Sequence, residues 1–216
     1  MRNATLLLAL AAGLSGQDRQ VPIDNDQARV IKVVDKPHAK GQLHEHKVNR
    51  VMIYLTAGRQ EITAQGGKTS VLEFKAGEVK WSPASGMHVS EITSDQPITV
   101  VEVELKKSGQ TASKVNNALD PVKVDPKDYS VEFENSQARV LRVRIGAHGK
   151  VPPHEHTLNR LVVYLTDQNG TMTTPDGKTE VVQHKAGDIS WAGTAKHQEE
   201  NLRDGPFEVV VVEFKD

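Results

Sequence analysis

Short hydrophobic runs alternate with turn residues along most of this chain. Val, Ile and Thr are frequent in the runs, and Gly, Pro, Asn and Asp separate them, which is the pattern of β-strands joined by turns. Beyond the first twenty residues no run has a convincing helical period. The pattern predicts seven strands in each half of the chain, at 28–34, 51–56, 60–64, 70–74, 78–82, 87–92 and 98–105, and at 138–145, 161–166, 171–174, 180–183, 188–192, 197–201 and 207–213.

The N-terminus carries a different pattern. Arg2 precedes an apolar run over residues 4–14, and small residues lie near its end, at 11–13, 15 and 16. The run is too short to cross a bilayer, which takes about 20 residues, but it is typical of a secretory signal peptide. We therefore predict a signal peptide at 1–18 and a periplasmic or secreted protein with no membrane segment in its mature form. A buried N-terminal helix or a disordered tail of a cytoplasmic protein is the alternative.

The rest of the chain is an internal repeat. Of the 55 positions in residues 27–81, 24 are identical to the positions 110 residues later. After Trp81 the second copy is one residue shorter, so the offset becomes 109. A copy of about 85 residues is too long for a solenoid unit and indicates a duplicated domain. We predict one domain at 19–107, a polar linker at 108–127 and a second domain at 128–216.

Composition narrows the function classes. Lys and Arg number 27 and Asp and Glu 28, for a net charge of -1, which argues against a nucleic-acid binder because such proteins draw affinity from clustered positive charge. Cysteine is absent, which excludes disulfides and thiolate metal sites. No phosphate loop, nucleophile elbow or dinucleotide motif is present.

Histidine carries the candidate chemistry. Eight of the nine histidines form four pairs between the copies. His44 and His46 lie two residues apart, so on one strand they face the same way with Cα atoms roughly 6.5–7 Å apart, and both can bind one ion. A closed barrel, which seven short strands favour, could bring His88 opposite them. The same relation holds for His154, His156 and His197 in the second copy.

These motifs resemble those of the cupin superfamily. A His-x-His motif is present as His44-Glu45-His46, and a second motif begins at Gly77 and includes Pro83 and His88. The second copy has His154-Glu155-His156, then Gly187 and His197, with Gly193 in place of the proline. The resemblance covers nearly all of residues 25–216 and implies an all-β protein of two tandem jelly-roll cupin barrels, a bicupin.

One departure from the family pattern concerns the metal. In metal-binding cupins an acidic ligand follows His-x-His by four or five residues, where this chain has Arg50 and Val51, and Arg160 and Leu161. The resemblance therefore implies three-histidine sites at most. Imidazole ligation suits Fe, Ni, Zn, Cu or Mn better than magnesium or calcium. Neutral ligands leave the charge of the ion uncompensated, which favours a small anionic substrate. Metal-free pockets are the alternative.

Neighbouring charged residues permit two interpretations. Arg50 and Arg160 either point into the barrels or lie outside them in salt bridges. Inside, each guanidinium could anchor an anion. In a metal-free variant of that arrangement, the guanidinium takes the place of the metal ion. Glu91 and Glu200 follow the third histidine by three residues, so a regular strand turns them away from it, towards an outer-shell or surface position.

Three functions remain open at this point. The first is a metal-dependent enzyme acting on a small anionic substrate by oxygenase-, isomerase- or decarboxylase-like chemistry, since fold does not choose among these; the catalytic residues are unknown. The second is a non-catalytic ligand- or metal-binding protein of the envelope. The third is a degenerate pair of barrels with a role in assembly. A homodimer is compatible with each function.

Overall fold

The computed structural model describes residues 17–109, 115 and 117–215. The strands of the N-terminal half are β1 Gln17–Asp24, β2 Ala28–Asp35, β3 His44–His46, β4 Arg50–Tyr54, β5 Gly58–Ala64, β6 Thr69–Phe74, β7 Val79–Ser82, β8 Ser85–Ile92 and β9 Ile98–Leu105. They form a five-stranded sheet in the order β1-β2-β9-β4-β7 and a four-stranded sheet in the order β3-β8-β5-β6. All pairings are antiparallel.

The C-terminal half repeats this arrangement after a four-residue helix, α1 Pro121–Val124. Its strands are β10 Tyr129–Glu134, β11 Ala138–Ile145, β12 Lys150–His156, β13 Arg160–Tyr164, β14 Gln168–Thr173, β15 Thr179–His184, β16 Ile189–Ala192, β17 Ala195–Asn201 and β18 Phe207–Phe214. The sheet orders are β10-β11-β18-β13-β16 and β12-β17-β14-β15. The prediction of an all-β chain made of two jelly-roll barrels is confirmed.

Four strands and the helix were not predicted. Strands β1 and β10 each begin their sheet at an edge, β3 has only three residues, and β12 contains two prolines, so none shows a clear alternation of apolar and polar residues. Strand β1 includes the last two residues of the predicted signal peptide, and residues 1–16 lie outside the described part of the chain. Helix α1 lies within the segment predicted as linker, and its N-cap residue, Asp120, is buried. Within the described residues no helix is long and apolar enough to cross a membrane.

The core explains the continuous apolar runs of the inner strands. Successive side chains of a strand point to opposite faces, and in β4 Met52 and Tyr54 pack into the core of their own barrel. Val51 and Ile53 face the other way, into a cluster shared with Leu161 and other residues of the second half. The two five-stranded sheets therefore pack against each other through their outer faces, and each barrel keeps a separate interior.

Candidate metal centres

The N-terminal barrel brings three histidines together. His44 and His46 lie on β3, and His88 on β8 is the direct cross-strand partner of His44. One nitrogen of each ring lies within 4.8 Å of the others. The ring centroids are separated by 4.5–5.2 Å. His88 is buried, whereas His44 and His46 are partly exposed.

The C-terminal barrel repeats the cluster at greater depth. His154 on β12 pairs with His197 on β17, and His156 lies two residues further along β12. One nitrogen of each ring again lies within 4.8 Å of the others. All three side chains are buried, with relative exposures of 0%, 3% and 3% for His154, His156 and His197. The two clusters thus share one cross-strand histidine pair, but they differ in strand register beyond it and in their access to solvent.

Hydrogen bonds orient the C-terminal rings as metal ligands require. His154 Nδ1 donates to the Pro152 carbonyl at 3.0 Å, and His156 Nδ1 donates to Glu213 Oε1 at 2.9 Å. Each bond leaves the lone pair on Nε2, because a neutral imidazole protonated on Nδ1 accepts through its other nitrogen. Burial lowers the pKa of His154 to about 4 and lowers that of His156 as well, so both rings are neutral at pH 7. A carboxylate behind a histidine is the usual outer-shell support of a metal ligand, and this donor set fits a transition metal.

The N-terminal rings have similar support but a different neighbour. His44 Nδ1 donates to the Gln42 carbonyl at 2.8 Å, and His88 Nδ1 donates to that of Gly86 at 2.9 Å. Arg50 Nη1, however, lies 2.9 Å from His46 Nε2. A guanidinium can only donate, so His46 Nε2 must accept this bond with its one lone pair. Burial, together with the positive charge of Arg50, lowers the pKa of His46 to about 3.

This contact makes the N-terminal donor set a poor fit for a metal. The lone pair of His46 is already used, and the competing group is a cation that would repel a metal ion. Arg50 is itself fixed by Glu102 at 3.1 Å and by Ser82 Oγ at 2.9 Å. His44 Nε2 lies 3.2 Å from His46 Nε2, and Arg50 would have to move before all three rings could bind an ion.

Both arginines point inward, which excludes the alternative of exterior salt bridges. Arg50 and Arg160 are 7% and 5% exposed, and each lines the cavity of its barrel. Arg160 donates from Nη1 to the Gly193 carbonyl. In contrast with Arg50, it forms no ion pair with any carboxylate among the described residues. A role of Arg50 and Arg160 in binding a substrate is still a prediction.

The two glutamates expected beside the sites lie elsewhere. Glu91 pairs with Lys40 at 2.8 Å and Glu200 with Lys150 at 3.2 Å, and neither is bonded to a histidine among the described residues. The strand alternation turns them away from the clusters, as the sequence predicted, and their lysine pairs place them at the partly exposed surface, the second of the two positions expected for them, and not in the outer shell of the histidines. The carboxylate that does face the C-terminal histidines is Glu199.

Glu199 and Tyr129 are the site residues that the sequence interpretation missed. Glu199 Oε1 lies 3.1 Å from His197 Nε2, and the Tyr129 hydroxyl donates to the same oxygen at 3.0 Å. Burial alone would raise the pKa of Glu199, but His197, His154 and Tyr129 together keep it below its usual range, so the carboxylate is ionised. The spacing of two residues from His197 was a signal for Glu199, whereas Tyr129 had none.

The cavities around the clusters differ in size. The N-terminal cavity has a volume of about 510 Å³ and is lined by all three histidines with Arg19, Arg50 and Glu102 among others. The C-terminal cavity has about 80 Å³, and its wall includes Arg160, Glu199 and the apolar side chains of Val211 and Phe207. The C-terminal cavity is therefore much the smaller of the two.

Comparison with known proteins supports the fold. No protein-family model matches the chain, and no curated protein matches it significantly. Among solved structures, AerE from Microcystis aeruginosa is 14% identical over 97% of this chain and 96% of its own, with a TM-score of 0.68. Oxalate decarboxylase from Bacillus subtilis, a protein with Mn(II) centres, is 14% identical over 88% and 70%, with a TM-score of 0.60. A Cupin 2 conserved barrel domain protein from Leptotrichia buccalis is 13% identical over 95% and 92%, with a TM-score of 0.58.

At these identities the likeness shows the architecture and not the activity. The resemblance predicted from the histidine motifs is confirmed at that level, because this chain has the bicupin fold of two tandem cupin barrels.

Proposed function

We propose that this bicupin binds a divalent transition metal in its C-terminal barrel, through His154, His156 and His197, and acts on a small anionic substrate there. The observation that carries the proposal is the convergence of three buried imidazoles within 4.8 Å, two of them held by Nδ1 bonds that turn Nε2 inward. The Nε2 atoms of His154 and His156 carry lone pairs, and His197 Nε2, which donates to the ionised Glu199 at 3.1 Å, would release its proton when an ion binds. Three imidazoles suit Fe, Ni, Zn, Cu or Mn. The Mn(II) centres of oxalate decarboxylase give a precedent on this fold.

Arg160 supports the anionic character of the substrate. Its guanidinium is buried, and in the described part of the chain the charges of Glu199 and Glu213 act on it only from beyond ion-pair distance. A carboxylate bound to its planar fork would supply a direct counter-charge through two parallel hydrogen bonds. The cavity of about 80 Å³, much smaller than that of the N-terminal barrel, favours a small substrate.

The residues of the C-terminal site would have separate roles. Arg160 would hold the substrate carboxylate, while Val211 and Phe207 on the cavity wall exclude water. A metal at the histidines would act as a Lewis acid that polarises the bound substrate. Oxygenase-, isomerase- and decarboxylase-like chemistry are all compatible with this arrangement.

Metal analysis on matched variants tests the proposal. Protein purified without an affinity tag should hold close to one equivalent of transition metal per chain. His154→Gln should remove nearly all of it, because one of three ligands is replaced by a weaker one. His44→Gln, the matched change in the N-terminal barrel, should leave the metal content almost unchanged. Equal metal losses in both variants, or metal retained in His154→Gln, would contradict the proposal.

An activity screen follows once the metal is identified. We would measure oxygen uptake and products with small carboxylates, for the wild-type protein and for Arg160→Gln. These measurements distinguish an enzyme from a ligand-binding protein. Binding without turnover, lost in Arg160→Gln, would favour the non-catalytic envelope protein. The homodimer and the export directed by residues 1–18 remain predictions.

A further inference from the structure

Glu199 lies where it can serve the C-terminal cluster directly. It follows His197 by two residues on β17, so both side chains point to the same face of the sheet. Its Oε1 atom lies 3.1 Å from His197 Nε2 and 3.6 Å from His154 Nε2. The side chain is only 13% exposed. The carboxylate therefore contacts two of the three nitrogens that would bind an ion.

The duplicated sequence makes this position informative. The residue that corresponds to Glu199 in the N-terminal barrel is Ser90, at the offset of 109 that also relates His197 to His88. In both barrels an arginine, Arg50 or Arg160, stands where metal-binding cupins carry their acidic ligand. The C-terminal barrel thus has a carboxylate from a different strand beside its histidines, whereas the interior carboxylate of the N-terminal barrel, Glu102, is paired with Arg50.

Tyr129 fixes the carboxylate. The hydroxyl donates to Glu199 Oε1 at 3.0 Å and lies 3.4 Å from His154 Nε2. The side chain is 2% exposed, and since a carboxylate oxygen can only accept, the hydroxyl is the donor of this bond. Its counterpart in the N-terminal barrel is Arg19: Arg19 pairs with Val33 on β2, as Tyr129 pairs with Val143 on β11.

We propose that Glu199 is the fourth ligand of the C-terminal centre and that Tyr129 is the residue that positions it. The inference rests on the function proposed above. Three neutral imidazoles leave both charges of a divalent ion uncompensated, and one carboxylate neutralises half of that charge. The hydrogen bond from Tyr129 restricts the rotation of the carboxylate and presents it on the side of the rings, which lowers the entropy lost when the ion binds.

Cobalt(II) titration of the full-length, chelator-treated protein tests both roles without measuring activity. Affinity comes from the titration, and the visible absorption of cobalt reports the ligand set. Glu199→Gln keeps the size but removes the charge, and we expect at least a tenfold loss of affinity with a changed absorption spectrum. Glu200→Gln is the matched control, because this neighbour faces the surface and pairs with Lys150; its affinity and spectrum should equal those of the wild type.

Tyr129→Phe removes only the hydroxyl. Loss of an outer-shell partner typically weakens metal binding about 10- to 100-fold, and we expect a loss at the lower end with the wild-type spectrum retained. Thermal unfolding of each variant checks that the barrel is intact.

The outcomes separate the two proposals. If the wild type binds cobalt and His154→Gln does not, while Glu199→Gln matches the wild type in affinity and spectrum, Glu199 is not a ligand and the metal site stands without it. If Glu199→Gln changes both and Tyr129→Phe changes neither, the positioning role is wrong. If the wild type binds no better than His154→Gln, the proposed function itself fails.

Discussion

In the C-terminal barrel the three histidines face an acid, Glu199, and a second acid, Glu213, supports one of them from behind. In the N-terminal barrel the same three positions face Arg50, which donates to His46, and Ser90 stands in place of Glu199. The spacing of the histidines is the same in both, and the first histidine of each motif pairs with the third across the strands, although the register shifts after His44 in one barrel and before His154 in the other. A few neighbouring side chains therefore decide whether three converging imidazoles are suited to a cation.

A similar contrast holds for the structural charges. Arg139 and Arg29 correspond at the offset of 110. Arg139 is buried between Asp120 at 3.0 Å and Glu213 at 3.3 Å. The Arg29 side chain is 45% exposed, and its carboxylate partners lie at 3.7 and 3.9 Å. The C-terminal barrel thus encloses a network of charges that the N-terminal barrel leaves at the surface.

The largest effect should come from breaking that network. Arg139→Gln leaves Asp120 and Glu213 buried without their cation, and we expect the free energy of unfolding to fall by about 3–5 kcal/mol. Arg29→Gln removes an exposed pair and should cost less than about 1 kcal/mol. Urea unfolding of both variants measures the difference, and equal losses would show that burial does not distinguish the two arginines.

A smaller change should make the barrels more alike. Arg50→Gln frees the lone pair of His46 and removes the competing cation, so we expect metal affinity in the N-terminal barrel to rise about 10- to 100-fold. A second, weaker equivalent of cobalt should then appear in a titration. Adding His44→Gln to this variant should abolish the second equivalent, and its persistence would place it outside the histidine cluster.

The smallest expected effect is on the stability of the fold at acidic pH. Burial alone would raise the pKa of Asp120, but the hydrogen bond and charge of Arg139 lower it, below the unfolded value of about 3.9. The ionised carboxylate therefore stabilises the fold above the unfolded pKa, and this contribution is lost as the pH falls through the folded pKa. Asp120→Asn keeps an N-cap side chain for α1 but removes the charge. Its melting temperature should lie further below that of the wild type at pH 7 than at pH 3; an equal gap at both pH values would count against the ion pair.

The orientation of Arg50 and Arg160 could not be predicted from the sequence. Residues 47–49 form a turn between β3 and β4, and strand alternation cannot be carried across a turn of unknown geometry. Both orientations of Arg50 therefore stayed open until the pairing of β4 with β7 and β9 fixed which face it occupies. Attention to spacing within β17 would have separated Glu199 from Glu200, because that strand is regular from His197 to Asn201.

The duplication, the β-strand content and the two sets of three histidines could all be predicted from the chain, because hydrophobic alternation and the spacing of a motif are local properties that a repeat displays twice. Tertiary structure decided which side chains surround those histidines. Tyr129 reaches Glu199 from a strand 70 residues away in sequence, and Arg50 reaches His46 across a turn. Such contacts depend on how separate strands are placed in the barrel, which no local pattern along the chain records.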